Sequence, residues 1–137
     1  MINEQQTTLG QSFNIFTNGD SMRRILVVNN GSLLEEGVTM LLTSREGLDV
    51  VSLGIENEKA LINCIDSTHP EVVVISGESS INLAELFGLL ENIPRFRHLQ
   101  IVMVSADSNT MDVYENQKIH ELQSEDFFDF LKEAAIK

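Results

Sequence analysis

Cysteine is nearly absent. Cys64 stands alone in 137 residues, so no internal disulfide can form. Its setting, Ala60-Leu61-Ile62-Asn63-Cys64-Ile65, reads as a small core residue on a helix, and such usage fits a reducing, cytoplasmic compartment. Positive charge is scarce as well: nine Lys+Arg face 21 Asp+Glu, a formal net charge of -12. A field of that sign repels phosphate backbones and anionic membranes, which argues against nucleic-acid and membrane partners. Most of this charge reads as a solvated surface that keeps the domain soluble. No apolar run approaches the roughly 18–20 residues of a membrane span. The start, Met1 to Thr8, has neither a positive beginning nor an apolar centre and does not read as a secretory signal. Glycine-rich phosphate cradles are missing too, since Asn30-Gly31-Ser32 offers one glycine before a helix start. His69, His98, His120 and Cys64 lack metal-ligand spacing, so neither a metal nor a cofactor is expected.

What the chain does have is a rhythm. Hydrophobic residues make up 42% and mean hydropathy is -0.01, enough for one core and one domain. Residues 1–22 form a polar extension with an apolar island at Phe13, Ile15 and Phe16, which reads either as a short strand and turn or as a loosely docked tail. Residues 23–137 alternate strand and helix. Ile25 to Val28 and Val72 to Ile75 are continuous apolar runs, the pattern of strands buried on both faces of a parallel sheet. Val50 to Leu53, Ile101 to Ser105 and a weaker Lys118 to Leu122 supply three further strands.

Ser32-Leu33-Leu34-Glu35 is a capping box, and Leu33, Leu34, Val38, Leu41 and Leu42 recur at helical spacing behind it. Asn57 caps a helix through Ser67 that His69-Pro70 stops, Ile81 to Asn92 makes a third, and Ser124 opens a last one with Phe127, Phe128, Phe130 and Leu131 inward. These elements predict an α/β, doubly wound sheet of five parallel strands with helices on both faces.

The fragments Ile25-Leu26-Val27-Val28-Asn29-Asn30, Leu33-Leu34-Glu35-Glu36-Gly37, Leu48-Asp49-Val50-Val51 and Glu58-Lys59-Ala60-Leu61 resemble the receiver domains of two-component response regulators. The resemblance runs from Arg23 to Lys137 and implies a flavodoxin-like sheet of strand order 2-1-3-4-5. In that family an acidic pair after the first strand holds Mg²⁺, an aspartate ending the third accepts the phosphoryl group, and a hydroxyl residue ends the fourth. Here these positions carry Asn29 and Asn30, Ser76, and Ser105; Gln123 aligns with the family lysine and His120 with the aromatic switch residue. Two amides cannot supply the negative charge that Mg²⁺ requires, and phosphoryl transfer consists largely of positioning and charge neutralisation.

The resemblance therefore implies a degenerate receiver, neither binding Mg²⁺ nor accepting phosphate, that signals through contact with a sensor kinase, a regulator or a second copy as a homodimer. The alternative is a small-ligand sensor using the neutral pocket of Asn29, Asn30, Ser76 and Ser105. No enzymatic activity is expected, because the strand map gives Ser76 no base. Glu78 and Asp107 border the pocket as solvated loop carboxylates, and the basic spots Arg23-Arg24 and Arg95 to His98 fall at the opposite rim, offsetting acidic neighbours.

The dozen residues Ala106 to Gln117 approach the minimum for a parallel crossover, so the family's fourth helix must be shortened or absent. Its loss should expose the edge around Val104, Ile119 and Leu122 to a partner, a second copy or the N-terminal tail, unless Met111, Val113 and Tyr114 cover the gap.

Overall fold

The computed structural model describes residues 22–96, 98–115 and 118–136. The expected strand or tail over residues 1–21, and Arg97, lie outside them. The strands are β1 (Arg23–Val28), β2 (Leu48–Leu53), β3 (Val72–Ser76), β4 (Gln100–Val104), β5 (Thr110–Glu115) and β6 (Lys118–Gln123). The helices are α1 (Leu33–Thr43), α2 (Glu58–Thr68), α3 (Leu83–Glu91) and α4 (Phe127–Ile136).

β1 and β3 form the centre because they bury both faces. Ile25 to Val28 and Val72 to Ile75 are at most 1% exposed, and each such side chain contributes about 1.5–3 kcal/mol relative to an exposed one. Side chains alternate across the sheet. Leu26, Val28, Val73 and Ile75 meet Leu61 and Ile65 of α2 and Leu86 of α3 on one face. Ile25, Val27, Val72 and Val74 meet Leu42 of α1 and Phe127 and Leu131 of α4 on the other.

The strand order is β2-β1-β3-β4-β5-β6. The first four strands are parallel and in the expected order, but the sheet is mixed and six-stranded, not five-stranded and parallel. β5 runs antiparallel to β4, and β6 antiparallel to β5. The chain between β4 and β6 is too short for a helical crossover, so it reverses twice, and β6 returns to the direction of β4. Thr110 to Glu115 is a strand where a shortened helix was one expectation. Val113 is buried and Met111 packs beside it, which covers the gap on the α1/α4 face. Val104, expected at an exposed edge, is consequently buried, whereas Ile119 in the edge strand is 63% exposed.

The helix starts follow their caps. The Ser32 hydroxyl accepts from Glu35 N at 3.1 Å while Glu35 Oε1 accepts from Ser32 N, and Asn57 Oδ1 accepts from Ala60 N at 2.8 Å. His69, with φ 53°, ends α2 in the left-handed conformation. Ser124 opens a 3-10 turn ahead of α4, not the α-helix itself. Along α1, Leu42 is buried and Leu34 and Val38 half-buried, but Leu33 and Leu41, which share the helical spacing, point out at 93% and 59% exposure. Among the described residues no helix is long and apolar enough to cross a membrane.

At the rim where β1, β3 and β4 begin, Arg23 is only 4% exposed and binds three elements. Its guanidinium donates to Glu71 Oε1 at 3.0 Å, to the Leu131 carbonyl of α4 at 2.9 Å and to Gln100 Oε1. Burial lowers its pKa, and Glu71 works against that shift. Arg24 pairs with Asp49 and Arg95 with Asp66, so these cations offset local acids as expected. Replacing Arg23 by alanine strands the Leu131 and Gln100 acceptors. Urea unfolding should show Arg23→Ala less stable by about 1–3 kcal/mol, and Glu71→Gln, at a half-exposed partner, should lose much less.

Candidate functional site

β1, β3 and β4 are adjacent and parallel, so the residues that follow them share one rim. Asn29, Asn30, Ser76 and Ser105 all lie there, and each is occupied by a local task. Asn30 Nδ2 donates to the Ile55 carbonyl at 2.9 Å, and Asn30 Oδ1 accepts from Ile55 N at 2.8 Å. The amide thus pairs with one residue of the β2–α2 loop in both directions. A carboxylate, which only accepts, cannot make this pair. Gly54 permits the approach: a Cβ there would sit 3.2 Å from Asn30 Oδ1.

Asn29 Oδ1 accepts from Gly31 N at 3.0 Å, closing a turn through a glycine at φ 101°. Its Nδ2 donates to Ser52 Oγ at 3.1 Å and, at 3.4 Å, to Thr39 Oγ1. Ser76 is 2% exposed, and its Oγ accepts from Glu78 N at 2.9 Å. Gly77 N donates to the Val104 carbonyl at 2.8 Å, which carries the β3–β4 pairing past Ser76. Ser105 Oγ accepts from Asp107 N at 3.3 Å.

Two carboxylates near this rim are similarly engaged. Glu35, 4% exposed, accepts from the backbone N–H groups of Asn30 and Ser32 at the start of α1. Glu58 accepts from Asn82 N at the start of α3, and that hydrogen bond holds its carboxyl below the usual range. Ser80 Oγ donates to the Glu56 carbonyl at 2.9 Å, a second tie between the same two loops. Glu78 and Asp107 are exposed. Among the described residues no three His, Cys, Asp or Glu side chains are grouped to hold a metal ion.

Gln123 and His120 do not join the group. Gln123 ends β6 at this rim, opposite Thr110, but β5 stands between β6 and β4. It is exposed and lies two strand spacings, about 10 Å, from the end of β4. His120 sits mid-strand opposite Val113 and is exposed, without the half-buried setting of a switch residue. The inserted strand displaces both. Sequence reasoning missed Ile55 altogether, because its partner Asn30 is 25 residues away and a loop backbone leaves no side-chain signal. No family model, curated protein or solved structure matches the chain.

Two outcomes follow from this bonding. In Asn30→Asp, two acceptors face each other where the amide had donated to Ile55. Because Asn30 is exposed to water, the variant should lose no more than an ordinary hydrogen bond, about 0.5–1.5 kcal/mol, in urea unfolding at neutral pH. The facing carbonyl raises the new carboxyl's folded pKa, so the loss should be complete above that value and fade below the ordinary aspartate range. Added Mg²⁺ should not restore it; rescue by Mg²⁺ contradicts the assignment. Glu58, with its lowered pKa, contributes stability that is present above the ordinary carboxylate range and is lost as pH falls through the folded value. Glu58→Gln should accordingly flatten the acid limb of a melting-temperature profile.

Proposed function

We propose that the chain is a receiver-like signalling module that operates in the cytoplasm without phosphorylation or Mg²⁺, through contact with other proteins. The observation that carries this reading is the two-way pairing of Asn30 with Ile55. The position that the family resemblance assigns to a metal carboxylate is spent on fastening a loop. Ser76, at the position of the phosphoryl acceptor, is buried and neutral, and Asn29 and Ser105 serve their own turns. Phosphoryl chemistry needs an anionic acceptor, a cation and a clear approach. A small-ligand sensor needs polar groups that converge on a shared space. The rim favours neither.

Contact with a protein is supported by α1. Leu33, Met40 and Leu41 are 93%, 70% and 59% exposed on its outer side, with Gly37 between them. Such an apolar stripe is unusual on a surface whose net charge is -12 and suits a docking helix or groove.

The test has two arms. Mg²⁺ with beryllofluoride should leave the melting temperature unchanged, and a small phosphodonor should add no phosphate detectable by intact-mass measurement. A saturable thermal shift, or one phosphate on Ser76, overturns the reading. A sensor kinase or regulator captured by the full chain should be released by Met40→Asp.

A further inference from the structure

On one face of the sheet α2 and α3 pack chiefly on the four parallel strands. α3 reaches β5 through Phe87 and Tyr114, whose ring centroids are 5.2 Å apart. Among the described residues no further helix follows for β6 on this face, and Ile119 is left 63% exposed. A groove of about 490 Å³ results, with Phe87 and Leu90 of α3 on one side and Tyr114 and Ile119 of the hairpin on the other. Pro94 and Phe96, in the 3-10 turn ahead of β4, wall it at the rim where β4 begins. Its open side is therefore over β6, and an occupant enters there from solvent.

Beyond the groove the hairpin is acidic. Side chains alternate across each strand, so Asp112 and Glu121 share this face with Tyr114 and Ile119. Asp112 stands directly opposite Glu121, both are exposed, and among the described residues neither forms an ion pair. Like charges at opposed positions repel each other. Burial, and to a lesser extent the Asp112 charge, holds the Tyr114 phenol above its usual range, which puts the carboxylate beside the groove wall. At the tip of the hairpin, by contrast, Glu115 stands opposite Lys118 and the signs balance.

We propose that this face seats an amphipathic, basic helix of a partner protein, its apolar side in the groove and a lysine or arginine over the Asp112–Glu121 pair. The dimensions fit. Two strand spacings make about 10 Å, the distance at which neighbouring helices pack. Tyr114 to Asp112, like Ile119 to Glu121, is two strand residues, about 7 Å, and four residues of helix advance about 6 Å. An apolar anchor and a cation at that helical spacing therefore meet the groove and the acidic pair together. The path leads away from the Pro94–Phe96 turn, because Tyr114 pairs with Ile101 near the start of β4 and Asp112 with Met103 further along it. Charge selects this occupant over a second copy. Two bodies of net charge -12 repel each other, and a second copy brings the same opposed carboxylates, whereas a basic helix is attracted. The inference adds a surface and a partner chemistry to the protein-contact reading, and it uses neither α1 nor the neutral rim.

The probe is a fluorescent helical peptide with leucines on one face and lysines on the other, set against its counterpart with glutamates for the lysines. Full-length protein should raise the anisotropy of the lysine peptide along a saturable curve that weakens with added salt, and should leave the glutamate peptide unbound. Ile119→Ser, at a side chain already largely exposed, should weaken binding about tenfold. Asp112→Asn combined with Glu121→Gln should weaken it severalfold, with circular dichroism unchanged in both variants. Leu33→Ser on α1 should leave the affinity as it was. A lysine peptide that fails to bind overturns the proposal. So does an affinity that ignores the hairpin substitutions or follows Leu33→Ser, and so does equal binding of the glutamate peptide. A molecular mass that doubles with concentration and reverts in Ile119→Ser also overturns it, and points to a second copy.

Discussion

Burial of β1 and β3 on both faces is the constraint from which the architecture follows. Eight consecutive-run side chains, Ile25 to Val28 and Val72 to Ile75, are sealed between two helical layers. A strand with no solvent face cannot slip by one residue without exchanging the partners of every side chain on it. The parallel arrangement of these strands places their C-terminal ends side by side. That is why Asn29, Asn30, Ser76 and Ser105, far apart in sequence, share a rim.

The rim then acts as a set of fasteners. Asn30 ties β1 to the β2–α2 loop, Asn29 ties it to β2 and α1, and Glu58 at the start of α2 and the Glu56 carbonyl before it hold Asn82 and Ser80 of the β3–α3 loop. A cluster of carboxylates at this spot repels itself and needs a metal to offset it. The amide and hydroxyl set satisfies itself, which is consistent with a module whose surface, not its pocket, meets other molecules. The outward apolar positions of α1, Leu33, Met40 and Leu41, are a surface of that kind.

Much of this was legible in the sequence where the signal is local. The continuous apolar runs gave the central strands, and Ser32 with Glu35 and Asn57 with Ala60 marked two helix starts through contacts three residues apart. Adjacency of the four rim residues followed from parallel strand order alone. The β5–β6 hairpin was also within reach. Thr110 to Glu115 alternates inward Met111 and Val113 with polar neighbours, and only two residues separate it from Lys118, a hairpin spacing. The expectation of a parallel crossover overrode that pattern, and with it went the placement of Gln123 and His120. Along α1 the leucines at 33 and 41 share the helical spacing of the inner face, and periodicity cannot reveal that the sheet beneath has ended. The Asn30–Ile55 pair was illegible for a different reason, since it joins a side chain to a backbone across 25 residues.

The central claim is that the Asn30 amide belongs to Ile55 and is not free for an ion or a ligand. Proton–nitrogen correlation spectra of the side-chain amides, recorded through a Mg²⁺ titration, read this directly. The account predicts an Asn30 amide protected from exchange and unmoved at millimolar Mg²⁺, with Asn29 equally still. Saturable movement of either resonance, or an Asn30 amide that exchanges as freely as an exposed one, contradicts it.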